Sequence, residues 1–167
     1  MKTTGKLFQR KMMVTVLLAM LLFTVLSAGV VSAKSLPKDK GRVVLQGRVR
    51  KLSHKGLLKL QKLKKSPNPS DYKTYKNKKF YVIVLDKPRT ISLYSDADSC
   101  FYKWKVRLVD VSGIKGIKKY AGKHCIFSIK KMLTYIPSDT SLPLGEPRTR
   151  NLHIYRKSSK SWVELKS

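Results

Sequence analysis

The chain reads as all-β: a small, partly open barrel of five to six strands with one short helical element, preceded by an N-terminal signal segment. Three observations carry this. Apolar and polar residues alternate with a period of two over residues 43–49, 104–108 and 125–129, the pattern of strands buried on one face. The most hydrophobic stretch beyond residue 33 is Phe80-Tyr81-Val82-Ile83-Val84-Leu85, made of β-branched and aromatic types. No heptad, internal repeat or strand–helix rhythm appears, which argues against helical bundles and parallel α/β sheets.

The first element is not part of the barrel. Residues 12–33 are mostly apolar, follow Lys2, Lys6, Arg10 and Lys11, and close on Val31-Ser32-Ala33. A basic flank, an apolar core and small residues at the cut describe a secretory signal peptide cleaved after Ala33. The stretch also approaches the roughly 20 residues that span a bilayer, so an uncleaved signal anchor is the alternative. In both cases the basic flank stays inside and the rest faces outward, through the general secretory route to the cell surface or beyond. Membrane contact is then expected only through the uncleaved segment. The domain plan is 1–33 signal peptide or anchor, 34–40 a polar tether with Pro37, and 41–167 one β domain.

Val43, Leu45, Gly47 and Val49 alternate with Arg42, Val44, Gln46, Arg48 and Arg50, giving a first strand with one apolar and one mainly cationic face. A glycine inside such a strand marks a bend or a close backbone approach. Leu57, Leu58, Leu60 and Leu63 fit either a short basic helix or a curled strand, and the strand is the expectation. Residues 66–71, with Pro67 and Pro69, are a loop. Phe80 to Leu85 is a central strand that Asp86-Lys87-Pro88 should stop, with Thr90 to Tyr94 forming a separate short strand. Asp96-Ala97-Asp98-Ser99 is a polar loop. Trp104, Val106 and Leu108 then alternate with Lys103, Lys105 and Arg107. Residues 114–121 supply a helical turn or connector. Cys125, Phe127 and Ile129 begin a strand expected to run towards Ile136. A proline-rich loop leads to Leu152 and Ile154, and Trp162, Val163 and Leu165 close the domain.

A long curled first strand, a hairpin, a short connector and closing strands suit a Greek-key barrel of the OB type. Gly56-Leu57-Leu58, Tyr81-Val82-Ile83-Val84-Leu85-Asp86-Lys87-Pro88, Val106-Arg107-Leu108 and Tyr120-Ala121-Gly122-Lys123 together resemble an exported bacterial family of OB-like domains. In that family a Y-x-V-x-L-D-K-P strand end precedes a V-x-L strand and a G-K-x-V strand start. The resemblance spans residues 42–157 and implies fold and export, because the family has no assigned activity. It departs at Lys130-Lys131-Met132-Leu133-Thr134-Tyr135, where the family carries a histidine- and threonine-rich segment. A ligand tied to those histidines is not implied for this chain.

Charge points to the partner. Four of the 37 Lys and Arg precede the expected cut and none of the nine acids does, so 33 cations face nine carboxylates, a net +24. Such a surplus attracts polyanions over long range: wall polymers, acidic polysaccharide or extracellular nucleic acid. Lysine dominates over arginine, which suits diffuse attraction better than planar bidentate recognition. The expected ligand face joins Arg48 and Arg50 with Lys103, Lys105 and Arg107, and takes Tyr81 and Tyr102 as stacking platforms. The alternative is that the rings fill the core and the lysines keep the domain soluble.

Catalysis has little support. His54, His124 and His153 lie in separate segments, and no nucleophile elbow, zincin, Walker or dinucleotide motif is present. Asp86, Asp96, Asp98 and Asp110 read as turn formers. No cofactor or metal is expected, since no Cys-x-x-Cys or His-x-x-x-His spacing occurs. Cys100 and Cys125 face an oxidising compartment, and either a disulfide or two thiols satisfies their spacing. The expected function is a non-catalytic binding module for an anionic polymer at the cell envelope, with docking of an acidic protein surface as the alternative.

Overall fold

Strands β1 (Val43–Ser53), β2 (Lys79–Ser95), β3 (Cys100–Asp110), β4 (His124–Ile129), β5 (Thr134–Ile136), β6 (Arg148–Thr149), β7 (Asn151–Arg156) and β8 (Ser161–Lys166), with helix α1 (His54–Leu60), build an all-β domain. The computed structural model describes residues 35–67, 74–139 and 141–167. The expected signal segment and its Ala33 cut lie outside them, as does the loop at 68–71. Among the described residues no helix is long and apolar enough to cross a membrane.

All eight strands join one sheet in the order β3-β6-β5-β2-β1-β4-β7-β8, and β3 pairs additionally with β2. β1 sits centrally, antiparallel to β2 through Val49↔Ile83 and to β4 through Leu45↔Phe127. β4 passes to β7 through Phe127↔Ile154. β6 runs parallel to β3 at Asp110↔Arg148 and is separated from β7 by Arg150 alone. The pairings leave β1 on one side through β2 to β3, β5 and β6, and on the other through β4 to β7 and β8; β6 and β7 follow each other in the chain without pairing.

Alternation decides the two faces. Leu45, Val49, Ile83, Leu93, Val109, Phe127, Ile129, Leu152 and Ile154 point to one side and are buried, with Ile114 and Ile117 from the connector closing that core. A 3-10 turn at Ile117–Tyr120 stands where a helical turn was expected. A second, smaller core lies on the outer face, where Phe80, Val82 and Leu108 are covered by Leu57 of α1 and Leu142 of the proline-rich loop.

Three expectations are corrected. Residues 54–60 form a helix rather than a curled strand. Ser53 caps it by accepting the Gly56 N–H at 3.2 Å, a contribution of about 1 kcal/mol. Full burial of Leu57 on the second core adds roughly 2 kcal/mol, and a strand would have turned that side chain away. Second, Asp86-Lys87-Pro88 does not end β2. The register slips between Val84↔Leu108 and Arg89↔Val106, so Pro88 falls in the irregular stretch, where no ladder N–H is required. Third, β4 stops at Ile129. A 3-10 turn at Lys131–Leu133 redirects the chain, and β5 pairs with β2 instead, in parallel, at Tyr94↔Tyr135.

The expected tether is also shorter than 34–40. The Lys38 carbonyl accepts the Trp162 indole N–H at 3.2 Å. Asp39 receives Ser128 Oγ and lies 2.9 Å from His153 Nδ1 and 3.4 Å from Arg42 Nε. His153 in turn faces Glu164 at 3.7 Å across its other nitrogen. This polar cluster, assembled from four segments, docks residues 38–42 on β4, β7 and β8.

Candidate functional site

The β2–β3 hairpin carries the site. Ser95↔Cys100 closes it around the turn at 96–99, and alternation outward from that pair sorts its side chains. Ile91, Leu93 and Val106 face the core. The opposite, outer face presents Thr90↔Lys105, Ser92↔Lys103 and Tyr94↔Phe101. Since β5 adds Tyr135 beside Tyr94, one row across three strands reads Phe101, Tyr94, Tyr135. Phe101 and Tyr94 meet edge to face with centroids 5.5 Å apart. The Arg150 guanidinium lies over the Tyr135 ring, 5.0 Å from its centroid. Lysines therefore stand beside rings on one surface.

The structure brings together only part of the expected set. Lys103 and Lys105 share the outer hairpin face and are exposed. Arg48 and Arg50 pair with Val84 and Val82, so β2 separates them from β3, and the second core lies between the two cation groups. Arg107 reaches Glu146 at 3.2 Å rather than standing free. Tyr81 is corrected outright: it is 7% exposed, in the main core, with its backbone N–H donated to Ser112 Oγ. Tyr102 is exposed, but its register partner is Leu93, which places it on the opposite side of the hairpin from the lysines. Its phenol pKa is raised, first by a hydrogen bond with Cys100. The cysteines do not bridge: Cys100 sits at the hairpin end, Cys125 stands opposite Gly47 in β4, and both are free thiols. Burial pushes the Cys125 thiol pKa up.

Tyr94, Phe101, Tyr135 and Arg150 were not singled out in the sequence. Phe101 was within reach, because it continues the outward phase of Lys103 and Lys105. Tyr135 depends on a parallel pairing that leaves no local signal.

Most described acids have a partner within the fold, while Asp96 stays exposed in the 96–99 turn. Asp86 faces His124 at 2.7 Å, Asp98 accepts Ser95 Oγ, and Asp139 binds Arg148 at 3.1 Å. Asp110 accepts the Ser112 hydroxyl and backbone N–H and lies 3.5 Å from Arg148, yet burial still raises its pKa. Lys103 and Lys105 make no ion pair among the described residues. The two lysines make this part of the hairpin face cationic, while the exposed carboxylates Asp96 and Asp98 stand in the turn at its end. Among the described residues no group of three or more His, Cys, Asp or Glu is placed to hold a metal ion.

Glu146 anchors the loop that flanks this face. It is 5% exposed and its pKa is raised, chiefly by burial, against the opposing effects of Arg107 and the Leu108 and Arg107 amides. A raised pKa means the folded state holds the proton after the unfolded chain, ordinarily near 4.5, has released it. Stability then falls as pH rises from the unfolded value through the folded one. Glu146→Gln should remove that part of the slope, read as the difference in urea midpoint between acidic and neutral pH, with Asp110 contributing equally to both proteins. An unchanged slope would show that Glu146 is solvated.

Comparison of the chain with protein-family models, curated proteins and solved structures finds no match in any of the three.

Proposed function

We propose that the chain is a secreted or surface-tethered, non-catalytic binding module with an OB-like barrel, which engages an anionic polymer at the cell envelope through the outer face of the β2–β3 hairpin. The barrel reading is supported by the joining of all eight strands in one sheet, by the short connector between β3 and β4, and by the direct succession of β6, parallel to β3, and β7, antiparallel to β4. It agrees with the exported OB-like family whose motifs the chain resembles. One observation carries the ligand class: Lys103 and Lys105 stand exposed beside aromatic rings, without an acid partner, in a chain whose acids are largely occupied elsewhere.

Retention on heparin and on DNA-cellulose tests the reading. Each phosphate neutralised by a cation contributes about 0.7 to 0.9 to the slope of log affinity against log salt. The double reversal Lys103→Glu/Lys105→Glu should lower that slope by about 1.5 to 2 and move elution to markedly lower salt. A reversal of equal charge at Lys157 and Lys160, in the β7–β8 turn, is the control. Arg107 is left intact because its reversal would oppose buried Glu146 and disturb the loop. Equal losses in both double variants would overturn the hairpin face. Absence of retention on both matrices, with a protein captured in a pull-down that survives moderate salt, would favour an acidic protein partner instead.

A further inference from the structure

Resting on the polyanion reading above, the geometry points to single-stranded nucleic acid as the ligand class, held on the distal half of the hairpin and on β5. The proximal half of this outer face is closed. Gln61 binds Leu144 twice, donating from Nε2 to its carbonyl at 2.9 Å and accepting its N–H at 3.0 Å. Leu57 and Leu142 are buried beneath that clasp on Phe80, Val82 and Leu108. Among the described residues of the hairpin, the region beyond the β2 irregularity is left to meet a ligand.

That region is unusual in its exposed apolar groups. Among the described residues the exposed large hydrophobics are Phe101 at 47%, Tyr102 at 45% and Met132 at 72%. Phe101 and Tyr102 lie on β3 near the hairpin end. Met132 lies in the 3-10 turn that leads directly into β5. An exposed large apolar residue is the informative exception to burial, and Phe101, on the same face as Lys103 and Lys105, marks a contact surface there, with Tyr102 turned to the other side.

The arrangement favours one polyanion over another. Sulfated or uronate sugars need cations, which any lysine-rich face would provide. Unpaired bases also offer flat π surfaces, and each base stacked on an aromatic side chain gains affinity that salt does not screen. Phe101, Tyr94 and Tyr135 cross three adjacent strands; Arg150 lies over the Tyr135 ring, which leaves Phe101 as the exposed platform. Lys103 and Lys105 run down β3 from Phe101, where a backbone carrying those bases would place phosphates. A duplex keeps its bases paired and cannot use the row.

Binding of a labelled short oligothymidylate, the same sequence as a duplex, and heparin is measured over a series of salt concentrations. The full domain should bind the single strand most tightly and retain measurable affinity for it at salt that abolishes heparin binding. Phe101→Ala, which removes an exposed side chain and should leave the far-UV circular dichroism unchanged, should weaken oligothymidylate binding about fivefold or more while heparin retention stays the same. Phe101→Trp should restore it. Heparin bound as tightly as oligothymidylate, or oligothymidylate binding indifferent to Phe101→Ala, overturns the nucleic-acid assignment and leaves the polyanion reading standing. Absence of binding to every polyanion at low salt overturns both.

Discussion

Phe127→Ala is expected to destabilise the domain by about 4 kcal/mol, a large share of the roughly 5–15 kcal/mol that holds a domain of this size. Phe127 is fully buried at the centre of β4, with Leu45 of β1 on one side and Ile154 of β7 on the other. Removing its ring forfeits transfer free energy and leaves a cavity that a strand held from both sides cannot close by collapsing. The melting temperature should fall by roughly 10–20 °C. The urea midpoint should drop without a change in the denaturant slope, which would identify a loss of stability rather than of two-state behaviour. Ile126→Ala is the control, because the neighbouring residue faces the other side of the sheet and is only partly buried. It should cost about 1 kcal/mol. Similar losses for the two variants would mean that β4 does not run between β1 and β7 with Phe127 inward.

Phe127 also shows why part of this fold could be read from the sequence. Its alternation with Cys125 and Ile129 is a local, period-two signal, and the same signal marks β1 and the outward lysines of β3. Local signals fail where two periodicities overlap or where pairing is remote. Leu57, Leu58, Leu60 and Leu63 fit both a helix and a strand, and Ser53, three residues before Gly56, was the cap that resolved them. Pro88 looked like a stop because proline cannot donate to a ladder, yet β2 carries it in the few residues where the register slips. Tyr81 shares the phase of Ile83 and Leu85, which is the phase of the core, so its ring is buried and serves no platform. The candidate face divides in the same way. Lys103 and Lys105 were legible, Phe101 followed from the same alternation, and Tyr135 joined them only through a parallel pairing with Tyr94, some forty residues earlier in the chain.

Gly47→Ala should cost about 3 kcal/mol, at the upper end of overpacking, although it adds a single methyl group. A Cβ at Gly47 would lie 2.3 Å from the Val84 carbonyl oxygen and 3.0 Å from the Leu85 Cα, so backbone rather than a pliable side chain must yield. Gly56→Ala is the opposite case. Its Cβ would meet Ser53 Oγ at 3.4 Å and Leu52 Cδ2 at 3.6 Å, ordinary contacts, inside a helix where alanine is preferred by about 0.5–1 kcal/mol. The same substitution should therefore lower the urea midpoint at one glycine and raise it slightly at the other. A neutral Gly47→Ala would mean that β1 and β2 do not approach so closely. Gly47 also lies against β2 just before its register slips. Before that point β2 pairs with β1; beyond it, while still paired with β3, it takes β5 as its neighbour. The β1–β2 ladder thus ends at the Gly47↔Leu85 pair, and Tyr135 comes to stand beside Tyr94 on the part of β2 that lies past it.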